Sequence, residues 1–205
     1  MEDVSPPRQQ RSKETLGAIA SATRRLLLTQ SFSELTIQSI VSEANSSAGS
    51  FYARFKGKRA LLHYLHEDFA QTSLEEMQAF VVAEKIDTVT VEHLAELLIP
   101  ELVRSHVENR GILRAALIES LDDPVFTERA AKFVASIAEL IADHTVRTAS
   151  RRDRHVSNVA RTLLAIIAIL DQTLFFAKSS PPRISSSEIA RLRRIFVASL
   201  CPDDG

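Results

Sequence analysis

Apolar positions recur at three- and four-residue intervals along almost the whole chain, the spacing that gathers them on one face of an α-helix. Leu16, Ile19, Ala20, Ala22, Leu26 and Leu27 set out a first helix that stops near Ser31-Phe32, after a leading arm over 1–11 that reads as disordered. Ile37, Ile40 and Val41 predict a short second helix from about Thr36 to Glu43, with Thr36 placed as its N-cap. After Ala44-Asn45-Ser46 a third short helix runs from Ser47 towards Phe55, and Lys56-Gly57 separates it from a long helix carrying Leu61, Leu62, Leu65, Phe69 and Leu74.

The remainder continues in the same period. A helix over about Val89 to His106 is interrupted by Pro100, and another runs from Gly111 to Leu121. Asp123-Pro124 has the order N-cap then proline at the first helical position, opening a helix to about Thr148. Ser150 to Arg154 reads as a loop, Val156 to Lys178 as a helix apolar on nearly all sides, and Ser179-Ser180-Pro181-Pro182 as its end. Ser185-x-x-Glu188 is a capping box that starts a last helix with Ile189, Leu192, Phe196 and Leu200 on one stripe. The expectation is an all-α chain of about nine helices, without a strand pattern, an internal repeat or a glycine-rich phosphate loop.

Composition narrows this further. Five glycines and seven prolines among 205 residues leave too few turns for a sandwich or barrel. A single cysteine, Cys201, excludes a disulfide framework within one chain and a thiolate-clustered zinc site, and fits a reducing compartment. Met1 to Lys13 contains no apolar segment of the signal-peptide kind. The longest strongly apolar run, Leu163 to Leu170, is far shorter than the roughly 18–20 residues of a membrane span, so no membrane partner and a cytoplasmic location are expected.

Charge changes the picture once it is divided by position. The chain as a whole carries 25 Lys and Arg against 26 Asp and Glu, for a net charge of −1. The first 60 residues hold nine bases and five acids, a net +4, which leaves −5 for the rest. A basic head on an acidic body suits an anionic polymer met by one end only, although a chance fluctuation of a few charges gives the same numbers.

Thr36 to Phe55, two short helices joined by a tight turn, form a helix-turn-helix candidate. Such a turn needs a left-handed backbone position, for which Asn45 is the best substitute for glycine. Ser47 caps the second helix, and the small Ala48, Gly49 and Ser50 let it sit deep in a major groove. Phe51 and Phe55 pack it onto its neighbours. A pair of core helices with a polar turn has the same spacing.

The run Ser31-Phe32, Leu35-Thr36-Ile37-Gln38-Ser39-Ile40-Val41, Ala44-Asn45-Ser46-Ser47-Ala48-Gly49-Ser50-Phe51-Tyr52-Ala53-Arg54-Phe55 and Lys56-Gly57-Lys58-Arg59-Ala60-Leu61-Leu62 resembles the DNA-binding signature of the tetracycline-repressor (TetR) family. The match covers roughly residues 12 to 65; Asn45 and Ser46 stand in place of the usual Gly-Val, Ser31 replaces the glycine before Phe32, and Arg54 stands where histidine is frequent. The resemblance implies a one-component transcriptional regulator, commonly a ligand-responsive repressor, that binds a (pseudo)palindromic double-stranded DNA operator as a homodimer. It implies a helix-turn-helix domain over 12–57 and an effector-binding and dimerisation domain over 58–205. It places Thr36 on a phosphate, Gln38, Ser47, Ala48, Gly49, Ser50 and Tyr52 towards the groove, and Arg54 and Lys58 as phosphate clamps. Of the readout positions, Gln38 and Tyr52 have side chains long enough for base edges or a thymine methyl. Arg8, Arg11 and Lys13 in the arm suit either a minor groove or a solvated tail.

In the body, a helix apolar all round must be buried all round, which in so short a chain favours a second subunit, though burial within one subunit is the alternative. Leu163, Ile167, Leu174, Phe175, Leu192 and Phe196 are the expected interface, from the last two helices of each subunit. Phe126, Phe133, Ile137 and His144 on one helix, with Glu119 and Asp171, are the candidate effector-binding residues; for the polar ones, a satisfied core role is the plain alternative.

The rival function classes are a helical metal-dependent enzyme and an interaction module without DNA binding. His63-x-x-His66, followed by Glu67, is a close pair for a metal but lacks a placeable third ligand, and Cys201 has no visible base. No enzyme activity, metal or cofactor is therefore expected.

Overall fold

The structure is a computed structural model that describes residues 8–84, 89–145, 149–175 and 183–200. Its elements are eight helices: α1 (Arg8–Leu27), α2 (Ile37–Glu43), α3 (Ala48–Tyr52), α4 (Lys58–Ala83), α5 (Val91–Glu119), α6 (Pro124–Thr145), α7 (Ala149–Phe175) and α8 (Ser186–Leu200). The all-helical expectation holds, with eight helices in place of about nine.

The missing boundary lies in α5. Pro100 and Gly111 suggest two helices, yet Val91–Glu119 is one helix with the proline inside it. Proline lacks an N–H, so the carbonyl of Glu96 loses its helical donor. The Arg193 guanidinium of α8 donates to that carbonyl at 3.4 Å, which replaces the lost bond from outside the helix. Two other edges move as well. α1 begins at Arg8, inside the stretch read as an arm, and α7 begins at Ala149, so the polar Ser150 to Arg154 stretch is its first turn and not a loop. The expected ends at Thr148 and at Ser179 to Pro182 fall outside the described residues.

Two apolar cores organise the fold. One joins Ile19, Leu27, Phe32, Leu35, Ile40, Val41, Phe51 and Phe55 of the N-terminal helices to Leu61, Leu62 and Leu65 of α4, and also to Ile112, Ala115, Ala116 and Phe126. The second is built from α4 to α8, with Leu98, Ile99, Ile137, Ile141, Leu163, Ile166, Leu192 and Phe196 at its centre. The head therefore does not close at Gly57: α4 completes it, and α5 and α6 supply part of its floor.

The stretch His155–Phe175 of α7 is long and apolar enough to cross a bilayer, longer than the Leu163–Leu170 run considered from sequence. Its apolarity is divided between two faces. Val159, Leu163, Ile166 and Leu170 are buried in the second core, whereas Ala165 and Ala168 are exposed on the opposite side.

Candidate functional site

The turn between α2 and α3 is fixed by local chemistry. Asn45 has φ of 47°, the left-handed position expected of it. The Ser46 N–H donates to the Val41 carbonyl at 2.8 Å and the Asn45 N–H to the Ser42 carbonyl at 3.1 Å. This is a Schellman closure, which satisfies the last carbonyls of α2 while turning the chain. Thr36 Oγ1 accepts from the Ser39 N–H at 3.0 Å, with Ser39 Oγ accepting from the Thr36 N–H in return. Ser47 Oγ accepts from the Ser50 N–H at 3.1 Å and caps α3.

Phe51 is fully buried and sets the rotation of α3. With Phe51 inward, Ser47, Ala48, Gly49 and Tyr52 face solvent, together with Thr36 and Gln38 from α2; Ser50 is half-buried. Tyr52 is 59% exposed and meets the Phe51 ring edge-on at 5.6 Å. A Cβ added to Gly49 would meet nothing nearer than Ser47 Oγ at 3.8 Å, so glycine is not required there by the free protein.

Arg54 and Lys58, read as phosphate clamps, are engaged within the chain. Lys58 Nζ donates to the carbonyls of Phe32, Ser33 and Leu35 at 2.9, 3.1 and 3.0 Å and lies 4.9 Å from the centre of the Phe32 ring. Three bonds use all the donors of an ammonium. Arg54 donates to the Ser50 carbonyl at 2.7 Å and to the carbonyl and hydroxyl of Ser12 at 3.1 and 3.2 Å, which ties α3 to α1. Both cations brace the head. Lys56, which the sequence reading did not single out, is exposed and unpaired among the described residues, as are Arg11 and Lys13 on α1.

The head is held to the body at several points. α1 and α5 touch where Gly111 faces the last turn of α1: a Cβ at Gly111 would lie 2.6 Å from the Leu27 carbonyl oxygen. Glu119, a candidate effector residue, instead accepts a bond from Arg59 Nε at 2.8 Å and ties α5 to α4. Asp123 accepts from His63 Nε2 at 2.8 Å, and the His63 ring stacks on Phe126 with centroids 4.2 Å apart.

Between α4, α5, α6 and α7 lie two chambers that share Phe69, His106, Phe133, Val134 and Ile167 as a wall, of about 80 and 190 Å³. The larger is lined by Phe126, Phe133 and Asp171 from the candidate effector residues, and by His66, His106, Ser120 and Thr127, which the sequence reading did not assign. The smaller takes in Ile137 with Met77, Phe80 and Leu98. Glu119 lines neither chamber, and the side chain of His144 falls outside the described residues. Burial, with Arg129 beside the ring, holds His66 down to about 4, and burial alone outweighs the Leu102 carbonyl to bring His106 to about 4 as well. Both rings are neutral near pH 7. Burial pushes the Asp171 carboxyl up to about 6. His63 and His66, the close pair considered for a metal, point to different partners: Asp123 for His63, and Arg129 Nη1 at 3.3 Å for His66 Nδ1.

Of the six expected interface residues, Leu163, Leu192 and Phe196 are buried inside the chain, with Ile167 in the chamber wall and Leu174 half-buried. A fully buried side chain has no surface left for a partner, so Leu163, Leu192 and Phe196 build the subunit's own core. Phe175 is exposed enough to offer a surface, with Arg114 stacked over its ring at 4.7 Å.

A capped turn presenting the start of a short helix, backed by a helical body with an internal cavity, defines a DNA-binding regulator of the helix-turn-helix class. Residues 19–65, which hold the helix-turn-helix, match the model of the family described as bacterial regulatory proteins, tetR family, and this match places that domain in the family. Similar folds extend over the whole chain. A TetR-family transcriptional regulator from Mesorhizobium loti is 16% identical with a TM-score of 0.66, the alignment covering 93% of this chain and 95% of that one. GusR of Salmonella enterica is 17% identical with a TM-score of 0.59, over 97% of this chain and 98% of that one. A transcriptional regulator of the TerR/AcrR family from Aquifex aeolicus VF5 is 17% identical with a TM-score of 0.59, over 88% and 96%. No curated protein sequence matches the chain.

Proposed function

We propose that this chain is a ligand-responsive repressor that binds a two-fold symmetric operator as a homodimer and releases it when a small molecule fills the cavity of the body. The observation that carries the reading is the exposed start of α3, where Ala48 and Gly49 leave room for close backbone approach and Gln38 and Tyr52 flank them. Thr36, Ser47 and Ser50 offer hydroxyls to phosphates, and Lys56, Arg11 and Lys13 supply unpaired positive charge around them.

Two such heads must sit about 34 Å apart to enter successive major grooves. An effector that prefers another spacing lowers DNA affinity, and DNA lowers effector affinity by the same factor. The route from cavity to head is short: Phe126 lines the larger chamber and stacks on His63 of α4, whose first turns complete the core of the head.

The test starts from a DNA site selected by the full-length protein from a random pool. Gly49→Val is expected to unfold at close to the wild-type temperature, because its Cβ meets only open space and Ser47 Oγ, and to lose at least tenfold in affinity for the selected site. Failure to enrich any site, or full binding by Gly49→Val, overturns the reading.

A further inference from the structure

We propose that the larger chamber selects a lipophilic organic cation, an apolar molecule bearing an ammonium or similar group, with Asp171 as its counter-ion. This rests on the effector reading above and names the ligand class that the same cavity accepts.

The lining makes the case. Among the described residues, Asp171 is the only charged side chain on the wall of the larger chamber, and no lysine or arginine lines it. Burial is the sole cause of its raised pKa, so no neighbouring base supports the carboxylate. Near pH 7 it is nonetheless mostly ionised, and a half-buried carboxylate without a partner is a costly arrangement that a cation relieves. The facing groups from the other elements are His66 on α4, His106 on α5 and Thr127 on α6, none of them positive. His106 Nδ1 donates to the Leu102 carbonyl at 3.0 Å, which leaves Nε2 of the neutral ring as an acceptor. Phe69, Phe126 and Phe133 add aromatic rings, whose faces attract a desolvated cation. The adjoining chamber has the same sign, since Glu76 and Glu101 outnumber Arg104, which is itself shared between Glu101 and Glu108 at 2.7 and 3.0 Å. An anionic ligand would meet acceptors and a negative charge. A neutral hydrocarbon would leave Asp171 desolvated and unpaired.

The probes are 3-phenylpropyl-trimethylammonium, its neutral isostere with carbon in place of the nitrogen, and 4-phenylbutyrate, each titrated calorimetrically into the full-length protein. The cation is expected to bind at least tenfold more tightly than the isostere, and the carboxylate more weakly than both. In Asp171→Asn the preference disappears while the isostere binds as before, and circular dichroism and affinity for the selected DNA site stay at wild-type values. Affinity for the cation also falls roughly tenfold from pH 7 to pH 5 as the carboxyl takes up its proton, a change absent in the variant. Binding led by the carboxylate or the isostere, no binding by any probe, or an Asp171→Asn variant that keeps the cation preference but changes oligomeric state, overturns the proposal. The two levels separate. Cation binding that leaves DNA affinity unchanged refutes the effector reading and keeps the site, whereas DNA release by neutral or anionic compounds alone does the reverse.

Discussion

Lys58 and Lys56 lie two positions apart and divide the work of positive charge. The Lys58 ammonium is spent on three carbonyls of the α1–α2 connection, while Lys56 stands in solvent. Lys58→Ala is therefore expected to lower stability by about 2 kcal/mol, since bonds from a charged donor are among the stronger ones, as read by denaturant unfolding. Lys56→Ala leaves stability alone, weakens every DNA sequence alike, and flattens the salt dependence of binding by about one unit. A second prediction concerns pH. His66 and His106 have folded pKa values of about 4 against 6.5 when unfolded, so the stability they lend is present above pH 6.5 and is lost as pH falls towards 4. Asp171 works the other way, because its raised folded pKa of about 6 gains a proton that the unfolded chain does not hold. Among these three groups the two histidines outweigh Asp171 at pH 5, and the lowered pKa of half-buried His155 acts in the same direction as theirs. Asp171→Asn should make the fall between pH 6.5 and 4.5 steeper, and His106→Gln should make it shallower, as measured by thermal unfolding across pH.

At the scale of elements, glycine marks where helices meet closely and where they do not. Gly111 sits against the backbone of Leu27, and its missing Cβ is what allows α1 and α5 to approach. Gly111→Ala forces these helices apart, and a loss of about 1–3 kcal/mol is expected. Gly17, on the exposed side of α1 with nothing within 4 Å of an added Cβ, is the matched control: Gly17→Ala should stabilise by up to about 1 kcal/mol. A thermal-shift comparison decides both. Helix content, the α2–α3 turn with its left-handed Asn45, and the caps at Thr36, Ser47 and Ser185 were legible in the chain because each depends on a few consecutive residues. The continuity of α5 was not, because the group that compensates Pro100 is Arg193, nearly a hundred positions away.

At the scale of the molecule, α7 leaves part of its apolar surface uncovered. Leu164, 48% exposed, borders the larger chamber, while Ala165, Ala168 and Phe175 are exposed on the side away from the core. If two subunits pair there, Ala165→Glu and Ala168→Glu yield folded monomers with weakened DNA binding, because one head alone gives up the second half-site. Phe196→Glu, in contrast, places a charge in the subunit core and yields insoluble chain. Light scattering and circular dichroism on the three variants distinguish these outcomes; a dimer surviving both surface substitutions rules out this face.

The sequence by itself determined that the chain is helical, that its head is positively charged, and that Thr36 to Phe55 turns as a helix-turn-helix, because propensity, capping and charge are local quantities. Tertiary structure decided which residues of that motif remain available. Lys58 and Arg54 became braces when distant carbonyls reached them, and Leu163, Leu192 and Phe196 became core when α5 to α8 packed together. It also decided the cavity, since Asp171, His66 and His106 meet only after three helices have packed. Helical period tells which side of each helix is apolar; only packing tells what covers it.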